Sequence, residues 1–235
     1  PIPTPNLDSV AQAGVRFNRF HVTAMCSPTR AALLTGRNHH AVGYGAISNV
    51  AIDEPGYTSV MPRSAATIGA VLKANGYDTS FFGKNHNTPD WEAGPMGPFD
   101  RWPNAWGFDY FYGFNGPATD QFNPELVENR NPIRRDPADA NYFLERDLTD
   151  HMIEWLHTQH SLGPDKPWLL YHCTRGAHFD NYPGEKFLGK SPAKHPYKDT
   201  LLELDEIMGR LVEALRKSGQ LEDTLIFISS DNGPH

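Results

Sequence analysis

The stretch Cys26-Ser27-Pro28-Thr29-Arg30-Ala31-Ala32-Leu33-Leu34-Thr35-Gly36-Arg37 decides how this chain is read. Pro28 suits the first turn of a helix, where its missing N–H costs nothing. Ala31 to Leu34 continue that helix, and Gly36 is the residue expected to close it. Cys26 is thereby placed at a helix N-terminus, where backbone N–H groups and the helix dipole favour an anion. Taken alone, a cysteine at such a point is most often a small buried residue. The question is whether the rest of the chain converges on it.

Working outward, Asn6 to Ala13 reads as a short helix with Leu7, Val10 and Ala11 on one face and Gly14 as its stop. Val15 to Val22 alternates apolar and polar residues imperfectly and reads as a strand. Residues 38 to 66 show no period and read as a loop. A helix follows over Thr67 to Asn75, then a short strand over Asp78 to Gly83, with Lys84-Asn85-His86 at its carboxyl end. The aromatic, Gly- and Pro-rich residues 88 to 137 read as an excursion whose aromatics at 106–114 either pack or line a pocket. Tyr142 to Ser161 is an amphipathic helix with Leu144, Leu148, Met152, Trp155 and Leu156 at helical spacing. Trp168 to Cys173 is a continuous apolar run, as in a strand buried on both faces, and it leads to Arg175, His178 and Asp180. Tyr197 to Ser218 is the longest helix. Thr224 to Ser229 reads as another buried strand, with Asp231 and Asn232 just past its end.

This alternation of helix and strand predicts an α/β fold, a mostly parallel sheet flanked by helices. In such sheets ligands bind beyond the carboxyl ends of the strands. Lys84 and His86, His178, and Asp231 with Asn232 all fall there. A net charge of −7 argues against a general nucleic-acid binder. No run approaches the roughly 18 apolar residues of a membrane span. Two cysteines, Cys26 and Cys173, form no disulfide framework. The chain opens on Pro1 without a methionine and stops after an apolar run, so both ends read as cut and the compartment, cytoplasm or periplasm, stays open.

Cys26-x-Pro28-x-Arg30 followed by Leu34-Thr35-Gly36-Arg37 resembles the signature of the type I sulfatases, in the alkaline-phosphatase-like superfamily. Thr4-Pro5-Asn6-Leu7-Asp8 with Gly14-Val15-Arg16-Phe17 is similar to the segment upstream of that signature. Gly83-Lys84-Asn85-His86 is similar to a Gly-Lys-Trp-His segment, with Asn85 in place of Trp. Ser230-Asp231-Asn232-Gly233 is similar to the second metal-binding segment. The resemblance implies that residues 1–235 are a partial sulfatase catalytic domain, lacking the first strand and the C-terminal subdomain.

It also implies a mechanism. A separate formylglycine-generating enzyme, the maturation partner, oxidises Cys26 to formylglycine. The hydrated aldehyde, beside a divalent cation (calcium, with magnesium as the other option), attacks sulfur as an activated oxygen nucleophile. The resemblance assigns Cys26 as nucleophile and metal ligand, Arg30 as partner of the diol, and Lys84 as a contact of the sulfate ester. His86 would hydrogen-bond the diol, and His178 would sit near the leaving-group oxygen. Asp231 and Asn232 would supply oxygen ligands to the metal. The implied substrate is a small-molecule or saccharide sulfate ester. Two other readings stay open: a phosphonate or phosphate monoester hydrolase of the same superfamily, and a non-catalytic relative. The family's Asp-Asp pair and its later lysine have no counterpart in these residues, so the chain by itself is expected to be inactive. His39-His40 lacks acidic or cysteine partners at zinc-like spacing and reads as surface or pocket lining.

Overall fold

The computed structural model describes residues 1–136, 139 and 141–233. The helices are α1 (Pro5–Ala13), α2 (Cys26–Thr35), α3 (Ile68–Ala74), α4 (Leu144–Leu162) and α5 (Pro196–Lys217). The strands are β1 (Asp78–Lys84), β2 (Tyr110–Phe114), β3 (Leu126–Glu128), β4 (Asn131–Ile133) and β5 (Trp168–Cys173). They form one sheet in the order β4-β3-β2-β1-β5. β1 lies between β2 and β5 and is parallel to both. The two short strands β3 and β4 continue the sheet antiparallel. The long strands are thus parallel, as the helix–strand alternation predicts, and the antiparallel half comes from the aromatic excursion.

Both faces of the sheet are covered around β1 and β2, whose residues after the first are all buried. Phe82, Tyr112 and Phe114 pack on one face against Leu144, Leu148 and Met152 of α4. Phe81 and Phe111 point to the other face and join Leu34 of α2, Phe108 and Cys173. Ala31, on the same helix as Leu34, packs with Val42, Tyr44, Met61, Ala65 and Trp106. The signature helix is therefore clamped between the sheet and the loop that follows it. The aromatics at 106–114 are core: Trp106, Phe108, Phe111 and Phe114 are buried.

Two expected strands are absent. Val15 to Val22 is irregular, with a bend at 18–19, and Val15 and Phe17 are 79% and 76% exposed. Thr224 to Ser229 is irregular, with Leu225 and Phe227 77% and 86% exposed. An apolar run becomes a strand when a neighbour takes its N–H and C=O groups. Among the described residues neither segment has such a neighbour, and β5 is the sheet's edge on its outer side.

Glycine decides the close approach at the centre. Gly83 has φ +89°, and a Cβ there would sit 2.1 Å from the carbonyl oxygen of Cys173. Only a residue without a side chain fits this register. The next residue, Lys84, is delivered from that point to the sheet's carboxyl end.

Candidate active site

The site grows from three short segments locked to one another: the start of α2, the turn at Ser48–Val50, and residues 84–87 at the end of β1. Ser27 is their junction. Its side chain is fully buried; its Oγ donates to the carbonyl oxygen of His86 at 2.6 Å and accepts from the backbone N–H of Ser48 at 3.3 Å. Asn87 Nδ2 donates to the carbonyl oxygen of Ser27 at 2.9 Å. Tyr44, buried, donates its hydroxyl to the carbonyl oxygen of Asn87 at 2.5 Å. Backbone polar groups with no secondary-structure partner are thus satisfied by side chains.

Cys26 is the first residue of α2 and is half-buried. Lys84 Nζ lies 3.2 Å from its Sγ. Arg30, one turn along the same helix, donates Nη1 to the carbonyl oxygen of Lys84 at 2.9 Å. Its Nε and Nη2 reach Asp231 Oδ2 at 3.0 and 2.7 Å. Burial, and then the charge of Arg30, push the Lys84 ammonium below its ordinary pKa. Two cations thus meet at one helix N-terminus, around residue 26.

His86 follows directly and is buried. Its φ is +54°, a left-handed conformation that is uncommon for a residue with a side chain. Burial, then the charges of Lys84 and Arg30, depress its pKa to about 2, so the ring is neutral. Its Nε2 lies 3.2 Å from Asn49 Oδ1. His178, half-buried in the turn after β5, is close enough for its charge to weigh on His86. Its backbone N–H donates to the carbonyl oxygen of Arg175 at 2.9 Å, and its Nδ1 contacts the carbonyl oxygen of Phe179.

Cys26, Arg30, Lys84, His86 and Asp231 are therefore gathered in one network, with His178 beside it. Asp231 arrives without the strand expected to carry it; the Arg30 ion pair positions it. Asn232 donates Nδ2 to the carbonyl oxygen of Gly233 at 2.8 Å. The fit to a cation is incomplete. Among the described residues no group of three or more His, Cys, Asp or Glu is placed to hold a metal. Asp231 commits Oδ2 to Arg30, and two residues cannot fill the six to eight oxygen positions of calcium. Three participants carried no sequence signal: Ser27, Asn49 and Asn87. Ser27 occupies a variable place within the signature, and Asn49 lies in a stretch without period. His39 and His40 are structural, with His39 Nδ1 2.9 Å from the carbonyl oxygen of Tyr44 and His40 Nε2 3.1 Å from the Tyr57 hydroxyl.

Comparison with known proteins assigns this arrangement to a family. The family model "Sulfatase" matches residues 1–235. The chain belongs to the sulfatase family. It is 33% identical to human (Homo sapiens) arylsulfatase A over 253 aligned residues, covering 98% of this chain and 47% of that protein. It is 30% identical to N-acetylgalactosamine-6-sulfatase of Mus musculus, covering 98% and 45%. This sulfatase chain thus spans about half the length of the curated relatives it matches. The crystal structure of Ps i-CgsB superposes with a TM-score of 0.76 at 25% identity, covering 93% of this chain and 51% of that one. The PsFucS1 sulfatase from Pseudoalteromonas sp. gives 0.69 at 25% identity, over 94% and 48%. The α/β fold with a central sheet flanked by helices is that of the alkaline-phosphatase-like superfamily.

Proposed function

We propose that this protein hydrolyses sulfate esters of aryl or saccharide type at residue 26. The observation that carries the reading is Lys84 Nζ at 3.2 Å from Cys26 Sγ, with the buried Arg30 guanidinium behind it. Two cations and a helix N-terminus around one residue form a binding place for an anionic ester group. Preorganised positive charge also stabilises negative charge that develops as the ester oxygen departs.

Formylglycine at position 26, in its hydrated form, would supply an oxygen nucleophile there. In this proposal Lys84 binds a sulfate oxygen, Arg30 orients residue 26, and His178 gives a proton to the leaving oxygen. The formylglycine-generating partner would read Cys26-x-Pro28-x-Arg30 before folding is complete, since Pro28 and Arg30 are buried in the fold. A calcium or magnesium ion belongs to the proposal, with Asp231 and Asn232 among its ligands; no step is assigned to it, because these residues do not complete its shell.

Mass spectrometry of the Cys26 peptide from protein made in its native host tests the modification. Replacing CH2–SH by CHO lowers the mass by about 18 Da, a covalent change read directly. In the full-length protein, Cys26→Ala should abolish aryl sulfate hydrolysis, by on the order of 10⁴-fold or more, with an unchanged circular dichroism spectrum. Retained turnover would remove residue 26 from the chemistry. Faster hydrolysis of a matched aryl phosphonate would move the protein to phosphorus esters.

A further inference from the structure

We propose that Asn49 is a positioning residue that fixes the proton of His86 on Nε2 and leaves Nδ1 as a hydrogen-bond acceptor in the active site. The hydrogen bond between Asn49 Oδ1 and His86 Nε2, 3.2 Å long, has one donor. The amide oxygen can only accept, so Nε2 carries the proton. A neutral imidazole has one N–H, and Nδ1 is then a bare lone pair.

The surroundings make this arrangement specific. Nδ1 is buried and finds no partner within the protein. A buried acceptor left without a partner costs on the order of 1–3 kcal/mol, so its persistence points to a group that is absent from the protein alone. Burial, and then the charges of Lys84 and Arg30, keep the ring neutral. His86 is therefore suited to accepting a hydrogen bond from a hydroxyl and ill suited to taking its proton away.

Asn49 is itself held for this task. It is exposed at its surface, but the preceding N–H, that of Ser48, is bound by Ser27 Oγ. The same Oγ grips the carbonyl oxygen of His86. One buried hydroxyl thus fixes both the backbone before Asn49 and the left-handed backbone of His86. Backbone strain of that kind is kept where the surroundings over-determine it, and it clusters at working sites. A partner that orients a site histidine through its remote nitrogen sets its tautomer and direction.

The kinetic part of the test rests on the sulfate-ester reading; the spectroscopic part does not. In the full-length protein, ¹⁵N-histidine NMR above neutral pH should show His86 as one tautomer, Nε2–H, with that proton visible through slow exchange. Asn49→Ala should lose the visible proton to exchange with solvent. It should also lower kcat by on the order of tenfold with KM nearly unchanged, the usual scale for a group that orients a site residue. Asn49→Asp keeps an acceptor oxygen and should restore the Nε2–H signal. A proton on Nδ1 in the protein with Asn49 in place overturns the proposal, as does an Asn49→Ala protein with signal and kcat unchanged. If the protein without substitutions, carrying formylglycine at position 26, hydrolyses no sulfate ester while His86 shows the Nε2–H form, the sulfate reading fails and the positioning by Asn49 stands.

Discussion

Two stretches that the sequence reads as strands end very differently. Asp78–Lys84 is the central strand, paired on both sides, and all its residues after Asp78 are buried. Thr224–Ser229 is irregular and mostly exposed, yet it delivers Asp231 to the same site. Within these residues one side of the site is a paired scaffold and the other a segment held by side-chain bonds, a tether. On the scaffold side, Lys84 and His86 are placed by strand pairing and by Ser27. On the tether side, position depends on the bonds from Arg30 to Asp231. An apolar run is a necessary condition for a strand and not a sufficient one: the neighbour decides.

The comparison is broken most directly at Phe82. Its ring is fully buried among Leu144, Leu148 and Met152. Phe82→Ala should cost about 3–5 kcal/mol, the range for removing a large core side chain and leaving a cavity. Chemical denaturation measures it. A loss below about 1 kcal/mol would mean that the sheet is not the scaffold described.

Ser27→Ala comes next. It removes the bond to the His86 carbonyl and leaves the Ser48 N–H without its acceptor. Two buried groups losing partners should cost about 1–3 kcal/mol. The amides of Ser48 and Asn49 should also exchange faster in hydrogen-exchange measurements, while those of β5 should not. Unchanged exchange at 48–49 would show that Ser27 does not join the segments.

A pH-dependent effect of similar size sharpens the picture behind His178. Glu203 on α5 accepts from the backbone N–H of Gly184 at 3.1 Å, at the end of the turn that carries His178. Burial, then the charges of Glu145 and Glu206, raise its pKa from 4.5 to about 7. The folded state therefore holds this proton more tightly than the unfolded chain. Its contribution is full below about pH 4.5, falls as pH rises through 7, and is level above. Glu203→Gln keeps an acceptor oxygen and cannot ionise. The variant should gain stability over the parent between pH 4.5 and 7, on the order of 1–3 kcal/mol in total. A difference independent of pH would remove Glu203 from the titration.

How much of this was legible in sequence follows from what each signal reports. Cys26, Pro28, Arg30 and Gly36 sit at a spacing that itself states a helix start, a face and a stop, so α2 was readable. Trp168–Cys173 was readable residue for residue, because a short apolar run bounded by Pro167 reads as a strand even though only Cys173 in it is fully buried. β2, β3 and β4 were not. Tyr110–Phe114 is aromatic without a period, and its identity as a strand comes from pairing with β1, residue Ser80 opposite Tyr110 through Lys84 opposite Phe114. Lys84, His86 and Arg30 could be placed near one another from strand ends and helix start. Their junctions could not: Ser27, Asn49 and Asn87 are small polar residues whose bonds join segments distant in the chain. Such residues look like ordinary loop composition until the fold brings them together.

The smallest expected effect tests the tether. Phe227 is 86% exposed, so Phe227→Ala removes a side chain that remains largely in water in both the folded and unfolded states. Exposed substitutions away from caps, cavities and buried polar groups usually change stability by no more than about 0.5 kcal/mol. The same phenylalanine-to-alanine change at Phe82 is expected to cost several times more, although the atoms removed are identical. Denaturation of this 235-residue chain measures both. Equal losses at 82 and 227 would mean that the segment before Asp231 is packed as firmly as the central strand, and the contrast between scaffold and tether would fall. A near-zero value at 227, with Asp231 still protecting Arg30 from exchange, would show that one ion pair suffices to bring that side of the site into place.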